Sequence, residues 1–146
     1  MDDSTIQNER GQTLLQTALF LPLLIAIIGL VVDGGLLLAN YRRAQIAADT
    51  AAHAASHQIS IEVFMEANQV VLAAPAFEKA LQYGTYNSHG QLAIHTIALL
   101  NEGRLVRVTG AASLPTVFMR LVGINSVTVS VVGEAYPAYG IEYEWQ

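Results

Sequence analysis

A long uncharged run near the N-terminus constrains this chain more than any other feature. Between residues 13 and 32 no side chain is charged, and the only polar ones are Thr13, Gln16 and Thr17. A run of this length is about what a helix needs to cross the roughly 30 Å hydrocarbon core of a bilayer. Because lipid offers no hydrogen bonds to the backbone, the run is predicted to be one membrane-spanning helix.

The helix is predicted to continue well beyond the uncharged run. No proline or glycine occurs over residues 36–56, and alanine, the best helix former, is the most frequent residue from Ala44 onward. We therefore divide the chain into a leader (residues 1–11), a long helix (residues 12–58) and a distal domain (residues 59–146). The second half of the helix is predicted to be a packing surface of small residues.

A few residues interrupt the apolar character or the regularity of this helix. Pro22 removes one helical N–H donor and can kink the helix. Gly29, Gly34 and Gly35 are predicted either to form a face on which another helix packs closely or to make the helix flexible where it leaves the membrane. Asp33 stands at the membrane edge, where an acid either marks the interface and contacts water or headgroups, or serves as a functional group within the membrane. The interface interpretation is the simpler one.

Composition and charge exclude several classes of protein. The net charge is −5 and the basic residues are scattered, which argues against nucleic acid as a partner. The absence of cysteine excludes disulfides, iron–sulfur clusters and zinc–thiolate sites. No small-x-small site precedes Asp33, so an uncleaved span is favoured over a secretory signal. Arg10 on one side and Arg42 and Arg43 on the other leave the orientation undecided.

The distal domain is predicted to combine short helices with an antiparallel sheet. Helical spacing predicts one broken or two short helices over residues 60–82, interrupted at Pro75, and a loop over residues 84–90. Alternating patterns predict strands at residues 92–100, 104–109 and 127–131, with a hairpin loop at 101–103.

Two further elements complete the predicted α+β fold, in which the long N-terminal helix packs on the small sheet. Leu114-Pro115 is predicted to open a short helix that ends at Gly123. The tail is predicted to form an edge strand with one face made by Tyr139, Ile141, Tyr143 and Trp145.

Three motifs in the first part of the chain resemble one known family. Arg10-Gly11 opens the segment RGQTLLQTALFLP, Asp33-Gly34 follows the span, and residues 45–52 read QIAADTAA. This pattern resembles the TadE/TadG-like proteins of the tight-adherence (Tad) pilus system. Those typically read R-G-x-x-x-x-E-F-A-L-x-L-P, then Asp-Gly, then Q-x-A-A-D-A-A-A. The resemblance covers residues 10–56, and the distal half resembles the family only loosely.

The resemblance implies a pilin-like fold and a subunit related to type IV pilins, with its N-terminus in the cytoplasm. A prepilin peptidase would cut after Gly11, so the mature helix would begin at Gln12 and bundle with the helices of other pilin-like subunits. The implied location is the cytoplasmic (inner) membrane, crossed once, with the distal domain outside the cytoplasm, and the extracellular pilus after assembly. The helix-assembly residues would be Gln16, Pro22, Gly29, Asp33, Gly34 and Gly35.

Gln16 departs from the family pattern, which has glutamate at this position. An amide accepts a hydrogen bond from a neighbour's new α-amine but lacks the charge-assisted part of that bond. We therefore expect a minor or accessory subunit. One alternative is the main subunit of an unusual filament. Another, from a different class, is a membrane-tethered module that binds an envelope ligand and does not polymerise.

No pattern in the sequence supports catalysis or a cofactor. Asp49, His53 and His57 share one helix face, but HAASH lacks the glutamate of the HExxH zinc-protease motif, so we read them as polar residues of that face. Ser113 and Ser126 lack a nucleophile-elbow context. The expected protein is not an enzyme and has no catalytic, metal or cofactor site. Its expected partners are pilin-like subunits, a prepilin peptidase and the lipid bilayer, but no nucleic acid.

Overall fold

The computed structural model describes residues 3–137, and in them one helix dominates. Helix α1 extends over Asp3–Ser56 and is about 80 Å long at 1.5 Å per residue. It includes most of the predicted leader and passes through Pro22 without ending. The prediction of one helix from the uncharged run to the alanine-rich stretch is confirmed.

Two short helices and a three-stranded sheet follow α1. Helix α2 spans Ile61–Ala67 and helix α3 spans Ala76–Ser88. The strands are β1 (Leu92–Leu100), β2 (Leu105–Pro115) and β3 (Ser126–Ala135), which pair antiparallel in the order β1-β2-β3. The predicted α+β class is therefore confirmed.

The second half of α1 forms the centre of the hydrophobic core. Its alanines recur every three or four residues and therefore form a stripe along the helix. This stripe contacts α3, β2 and β3. The buried members are Ala44, Ala47, Ala48, Ala51, Ala52 and Ala55. Because alanine has no atoms beyond Cβ, the sheet and α3 can both approach the helix backbone, as the packing-surface prediction required.

The sheet approaches the helix backbone closely at Gly133 of β3. A Cβ atom built on Gly133 would overlap the carbonyl oxygen of Ala48 and lie 2.6 Å from the amide nitrogen of Asp49. The neighbouring atoms are backbone, so they cannot move away as a flexible side chain could. Glycine is therefore needed at this position for β3 to lie on α1.

Helix α3 corrects one sequence-based prediction. The loop predicted over residues 84–90 is wrong, because α3 covers most of that range and ends before His89. Gly84 lies inside the helix, where a Cβ atom would come within 2.7 Å of Ile94 Cδ1 and 3.4 Å of Ala51 Cβ. The glycine that suggested a turn therefore permits a close contact of α3 with α1 and β1.

A β-bulge explains why β1 is apolar on both faces. The pairing of β1 with β2 shifts between Ile94 and Thr96, which makes His95 the extra residue of the bulge. Before the shift Ile94 is buried in the core, and after it Ile97 packs against the core. Before the bulge the even-numbered side chains of β1 face the core, and after it the odd-numbered ones do.

Strands β2 and β3 are longer than predicted. They pair from Val106 with Ala135 to Pro115 with Ser126, so the ladder extends past both predicted strand ends. The C-terminal edge strand predicted from Tyr139, Ile141, Tyr143 and Trp145 lies outside the described residues.

The short helix predicted to open at Leu114-Pro115 is wrong. Both residues belong to β2, and the proline stands at the last position of the strand, where a missing N–H is tolerated. A single 3₁₀ turn at Met119–Val122 replaces the helix. It ends at Gly123 as predicted, and the φ of this glycine is 90°.

Candidate functional site

Two buried positions distinguish one face of α1 outside the alanine stripe. Within residues 11–43, which we call the membrane segment, every residue is at least partly exposed except Gly29 and Asp33. The two residues are four apart and therefore share a face of the helix. Both are covered by the connection between β2 and β3, residues 116–125, which we call the docking loop.

The carboxylate of Asp33 accepts three backbone hydrogen bonds from the docking loop. Oδ1 accepts from the N–H groups of Val117 and Phe118 at 2.8 and 3.1 Å, and Oδ2 accepts from that of Met119 at 2.6 Å. These N–H groups lie at the start of the 3₁₀ turn, where the turn itself offers no acceptors. A carboxylate is the stronger kind of acceptor for them. Asp33 therefore caps a turn that lies in a distant part of the sequence.

This geometry corrects the interpretation of Asp33 as an interface marker. Its side chain is fully buried, and its carboxylate binds the backbone of the same chain rather than water or headgroups. The cost of burying a carboxylate is offset when several hydrogen bonds satisfy it. The acid thus has a structural partner inside the monomer.

Phe118 occupies the space that Gly29 leaves open. A Cβ atom on Gly29 would lie 2.7 Å from Cγ and Cδ1 of Phe118 and 2.9 Å from its Cβ. Gly29 therefore lies at a close contact, although its partner here is a loop of the same chain rather than another helix. Gly34 and Gly35 differ, because nothing lies within 4 Å of a Cβ built on either. Their part in subunit packing stays a prediction.

The docking loop is closed by its own hydrogen bonds. The Thr116 N–H donates to the carbonyl of Asn125 at 3.1 Å, and its hydroxyl donates to the carbonyl of Ile124. Further N–H groups donate to carbonyls within the loop, from Leu121 to Phe118, from Gly123 to Arg120 and from Ile124 to Met119. Asp33 accepts from three further N–H groups of the loop, those of Val117, Phe118 and Met119.

An apolar groove separates part of the docking loop from α1. Its volume is about 500 Å³, and its walls include Leu21, Ile25 and Leu30 from the helix and Leu121 and Val122 from the loop. No charged side chain lines it. Because Leu121 and Val122 are 85% and 76% exposed, the loop also presents an apolar surface away from the helix.

The alanine-rich motif of α1, residues 45–52, contacts the sheet. Gln45 donates from Nε2 to the carbonyl oxygen of Val132 and lies 3.5 Å from Oδ1 of Asp49. Ala48, between these two polar residues, faces Gly133. The polar positions of the motif therefore fix β3 at the level where its backbone touches the helix.

The remaining predicted site residues lie on the surface of α1. Gly11, Gln12 and Gln16 are exposed, and apart from the helix's own nearby backbone no described atom lies within 4 Å of a Cβ built on Gly11. Pro22 lines the apolar groove. The roles of these residues in processing and assembly stay predictions, because both roles involve partners outside the chain.

The histidine-containing face lies at the other end of α1. His53 and His57 are exposed and line a pocket of about 330 Å³ together with Lys79 and Tyr83, whereas Asp49 lies near Gln45. Within residues 11–137 no group of three or more histidine, aspartate or glutamate side chains is arranged to hold a metal ion. Both histidines are thus polar residues on the helix surface next to α3.

Sequence reasoning missed the docking loop as a partner of the membrane segment. It placed this stretch in the short helix predicted to open at Leu114-Pro115, as part of the distal domain. One signal in the sequence was the occurrence of so apolar a stretch in the connection between two predicted strands. A second was the spacing of four between Gly29 and Asp33, which puts a small and an acidic residue on one face.

The membrane segment and the alanine stripe match one protein family. The family model described as Tad, putative Flp pilus-assembly TadE/G-like, matches residues 11–65. This match confirms the resemblance drawn from the motifs between Gly11 and Asp49. The docking loop and the sheet lie outside the matched segment. No curated protein and no solved structure matches the chain.

Proposed function

We propose that this chain, a TadE/G-like pilus-assembly protein by its residues 11–65, is a pilin-like subunit of a Tad-type pilus or secretion apparatus. Helix α1 anchors it by a single span in the cytoplasmic membrane, and the distal domain lies outside the cytoplasm. Its role is that of a minor or accessory subunit, and it acts by binding other pilin-like subunits rather than by catalysis.

One observation carries this proposal: the membrane segment exposes large apolar side chains all around the helix except at Gly29 and Asp33. Leu14, Phe20 and Ile28 are each at least 60% exposed. The helix over Gly11–Ser56 is long and apolar enough to cross a membrane. Such a surface is unfavourable in water and needs lipid or the apolar helices of other subunits around it. A pilin-like subunit meets these two environments in turn.

The processing site is the second part of the proposal. Gly11 lies on an open stretch of α1, where no other part of the described chain shields it from a peptidase. Cleavage after Gly11 would remove the polar leader and create a new amino terminus at Gln12. The mature helix would then begin with the apolar run itself.

Gln16 supports an accessory role. It is exposed on the membrane segment and has no charge, so it avoids burying an acid in lipid. In a fibre it offers a neighbour's α-amine only a neutral acceptor, which makes the weaker hydrogen bond. A subunit that makes this weaker hydrogen bond is better suited to a few positions in an assembly than to the role of the main fibre subunit.

The intact mass of the protein purified from its native membrane tests the processing step. We expect a chain that begins at Gln12. A Gly11→Val variant is expected to keep the leader, whereas a Gly34→Val variant, also at an open glycine of α1, is expected to be processed normally. A wild-type chain that still begins at Met1 would contradict the processed-pilin account.

Sheared surface fibres test the accessory role. We expect the protein in the fibre fraction in small amounts relative to a main subunit. If it were the most abundant protein there, it would be the main subunit of the filament. If it stayed monomeric in detergent and absent from fibres, the membrane-tethered binding module would replace the pilin-like account.

A further inference from the structure

We propose that the docking loop is a second membrane contact, in which Val117, Leu121 and Val122 insert into the hydrocarbon of the leaflet nearest the distal domain. Gly29 and Asp33 hold the loop against α1 at that depth. The inference rests on the membrane anchoring proposed above. This inference goes beyond the anchoring, because the docking loop as well as α1 would then contact lipid.

The position of the loop along α1 sets its depth. The uncharged run ends at residue 32, next to Asp33. Gly29, which Phe118 covers, lies about 6 Å further into the run at 1.5 Å per residue. The groove between loop and helix extends to Leu21, about 12 Å beyond Gly29. A loop beside this part of α1 shares the surroundings of the helix, which are lipid.

The exposed side chains of the docking loop are of the kind that lipid accepts. Val117, Leu121 and Val122 are each more than half exposed, and the loop contains no acid. Its one charged residue is Arg120, which is exposed. An arginine near the edge of a membrane can keep its apolar stem in hydrocarbon and extend its charge to the headgroups. Apolar surface of this kind, if left in water, would be unfavourable.

Several backbone N–H groups of the docking loop meet the requirement that lipid imposes. Irregular backbone with free N–H groups is excluded from hydrocarbon because nothing there can bind them. Here the N–H groups of Val117, Phe118 and Met119 bind Asp33, while Leu121 donates within the loop. The buried acid thus supplies the acceptors that water would supply to an ordinary surface loop.

Lipid is a better occupant for this surface than a second copy of the chain. Leu121 and Val122 continue the apolar surface of Leu21 and Ile25, with which they share a groove. That helix surface must face lipid before any subunit can bind it. The docking loop is joined to this helix by three hydrogen bonds and by the contact of the Phe118 ring with Gly29. It therefore faces the same lipid as the helix from the time the chain folds.

Tryptophan depth measurements on the full chain test the proposal. Trp145 is the one tryptophan of the sequence, so a Trp145→Phe background allows single probes. The probes are Leu121→Trp in the loop, Leu24→Trp in the membrane segment, and Ile61→Trp at the start of α2. Ile61 is a matched control, because it is 75% exposed and lies beyond the other end of α1. Each variant is reconstituted in vesicles of phosphatidylcholine and phosphatidylglycerol with brominated acyl chains.

We expect the brominated chains to quench the tryptophan fluorescence of Leu121→Trp to an extent comparable with that of Leu24→Trp. The fluorescence of Ile61→Trp should not be quenched. If Leu24→Trp is quenched and Leu121→Trp is not, the insertion is wrong and the anchor stands. If neither is quenched, the anchor itself fails. A blue-shifted Leu121→Trp emission without quenching, which disappears on dilution of the protein in the vesicles, would assign the loop to a second copy and overturn the lipid contact.

Discussion

The ring of Phe118 lies on the backbone of Gly29, in the space that a side chain at Gly29 would occupy. One turn further along α1, Asp33 accepts a hydrogen bond from the backbone N–H of the same phenylalanine at 3.1 Å. Phe118 is therefore bound to the helix through both its side chain and its backbone. Two residues of α1 thus position a loop whose other contacts are mostly its own.

A methyl group at Gly29 is expected to weaken this contact. Gly29→Ala places a Cβ atom 2.9 Å from the Phe118 Cβ, which cannot rotate away, so we expect a loss of about 1–3 kcal/mol from overpacking. The matched control is Gly34→Ala, where nothing lies within 4 Å and the better helix former should add up to about 1 kcal/mol. Unfolding of both variants in detergent micelles measures the difference. Equal stability of the two would contradict the close contact.

Asp33→Asn is expected to release the start of the docking loop. The amide retains one oxygen acceptor but turns an NH₂ group toward an N–H donor, so we expect a loss of about 1–3 kcal/mol. Hydrogen exchange at the amides of Val117, Phe118 and Met119 should accelerate. Asp49→Asn serves as the control, because Asp49 has only a 3.5 Å contact with Gln45. Unchanged exchange in Asp33→Asn would show that the carboxylate does not hold the loop.

Gly133→Ala is expected to damage the distal domain more than any change on the sheet surface. The new Cβ atom would overlap the carbonyl oxygen of Ala48, so strand and helix must separate. Overpacking of this kind costs about 1–3 kcal/mol and sometimes more. Ser130→Ala on the exposed face of the same strand should change stability by less than about 0.5 kcal/mol. Thermal unfolding followed by circular dichroism compares the two variants.

Ala51→Leu is expected to separate α1 from its partners in the core. Ala51 is fully buried and lies where α1 meets Gly84 of α3, so added methylenes have no space. Ala39→Leu, on an exposed part of the same helix, is expected to be tolerated. Expression and unfolding midpoint of the two variants test this. A stable Ala51→Leu protein would mean that α1 and α3 can move apart at little cost.

Gln16→Glu is expected to increase the share of this subunit in assembled fibres. The carboxylate would offer a charge-assisted hydrogen bond to the α-amine of a neighbouring processed subunit, where the amide offers a neutral one. Gln16→Leu, which offers no acceptor, should reduce the share. Quantifying the protein in sheared fibres relative to the membrane fraction gives the answer. The same share in all three proteins would remove Gln16 from the assembly contact.

The elements that could be predicted were those with a local cause. The uncharged run and the alanine-rich stretch set the continuous helix α1, because composition and spacing act within a few turns. The alternation of Val106 and Val108 with Arg107 correctly predicted the first half of β2, and the sequence around Pro75 correctly separated α2 from α3. The family motifs, over residues 10–56, also lie within this locally determined helix, and the family match continues to residue 65.

The predictions that failed depended on partners distant in sequence. Gly84 was read as a turn because glycine is common in loops, but its role comes from Ile94 and Ala51 packing against it. Pro115 was read as the start of a helix, but the ladder with β3 holds it in a strand. In both cases a tertiary contact overrode the local conformational preference of the residue.

The sequence by itself determined the apolar run that is long enough to span a membrane, the long helix and the small-residue face that receives the sheet, since these follow from hydropathy and from spacing along one helix. Only the tertiary structure decided what Asp33 does. Its hydrogen-bond partners begin 84 residues further along the chain, and the three donors converge on it only after β2 and β3 have packed on α1. In the sequence Asp33 looks like a residue that marks the membrane boundary. In the fold its carboxylate accepts hydrogen bonds from the docking loop.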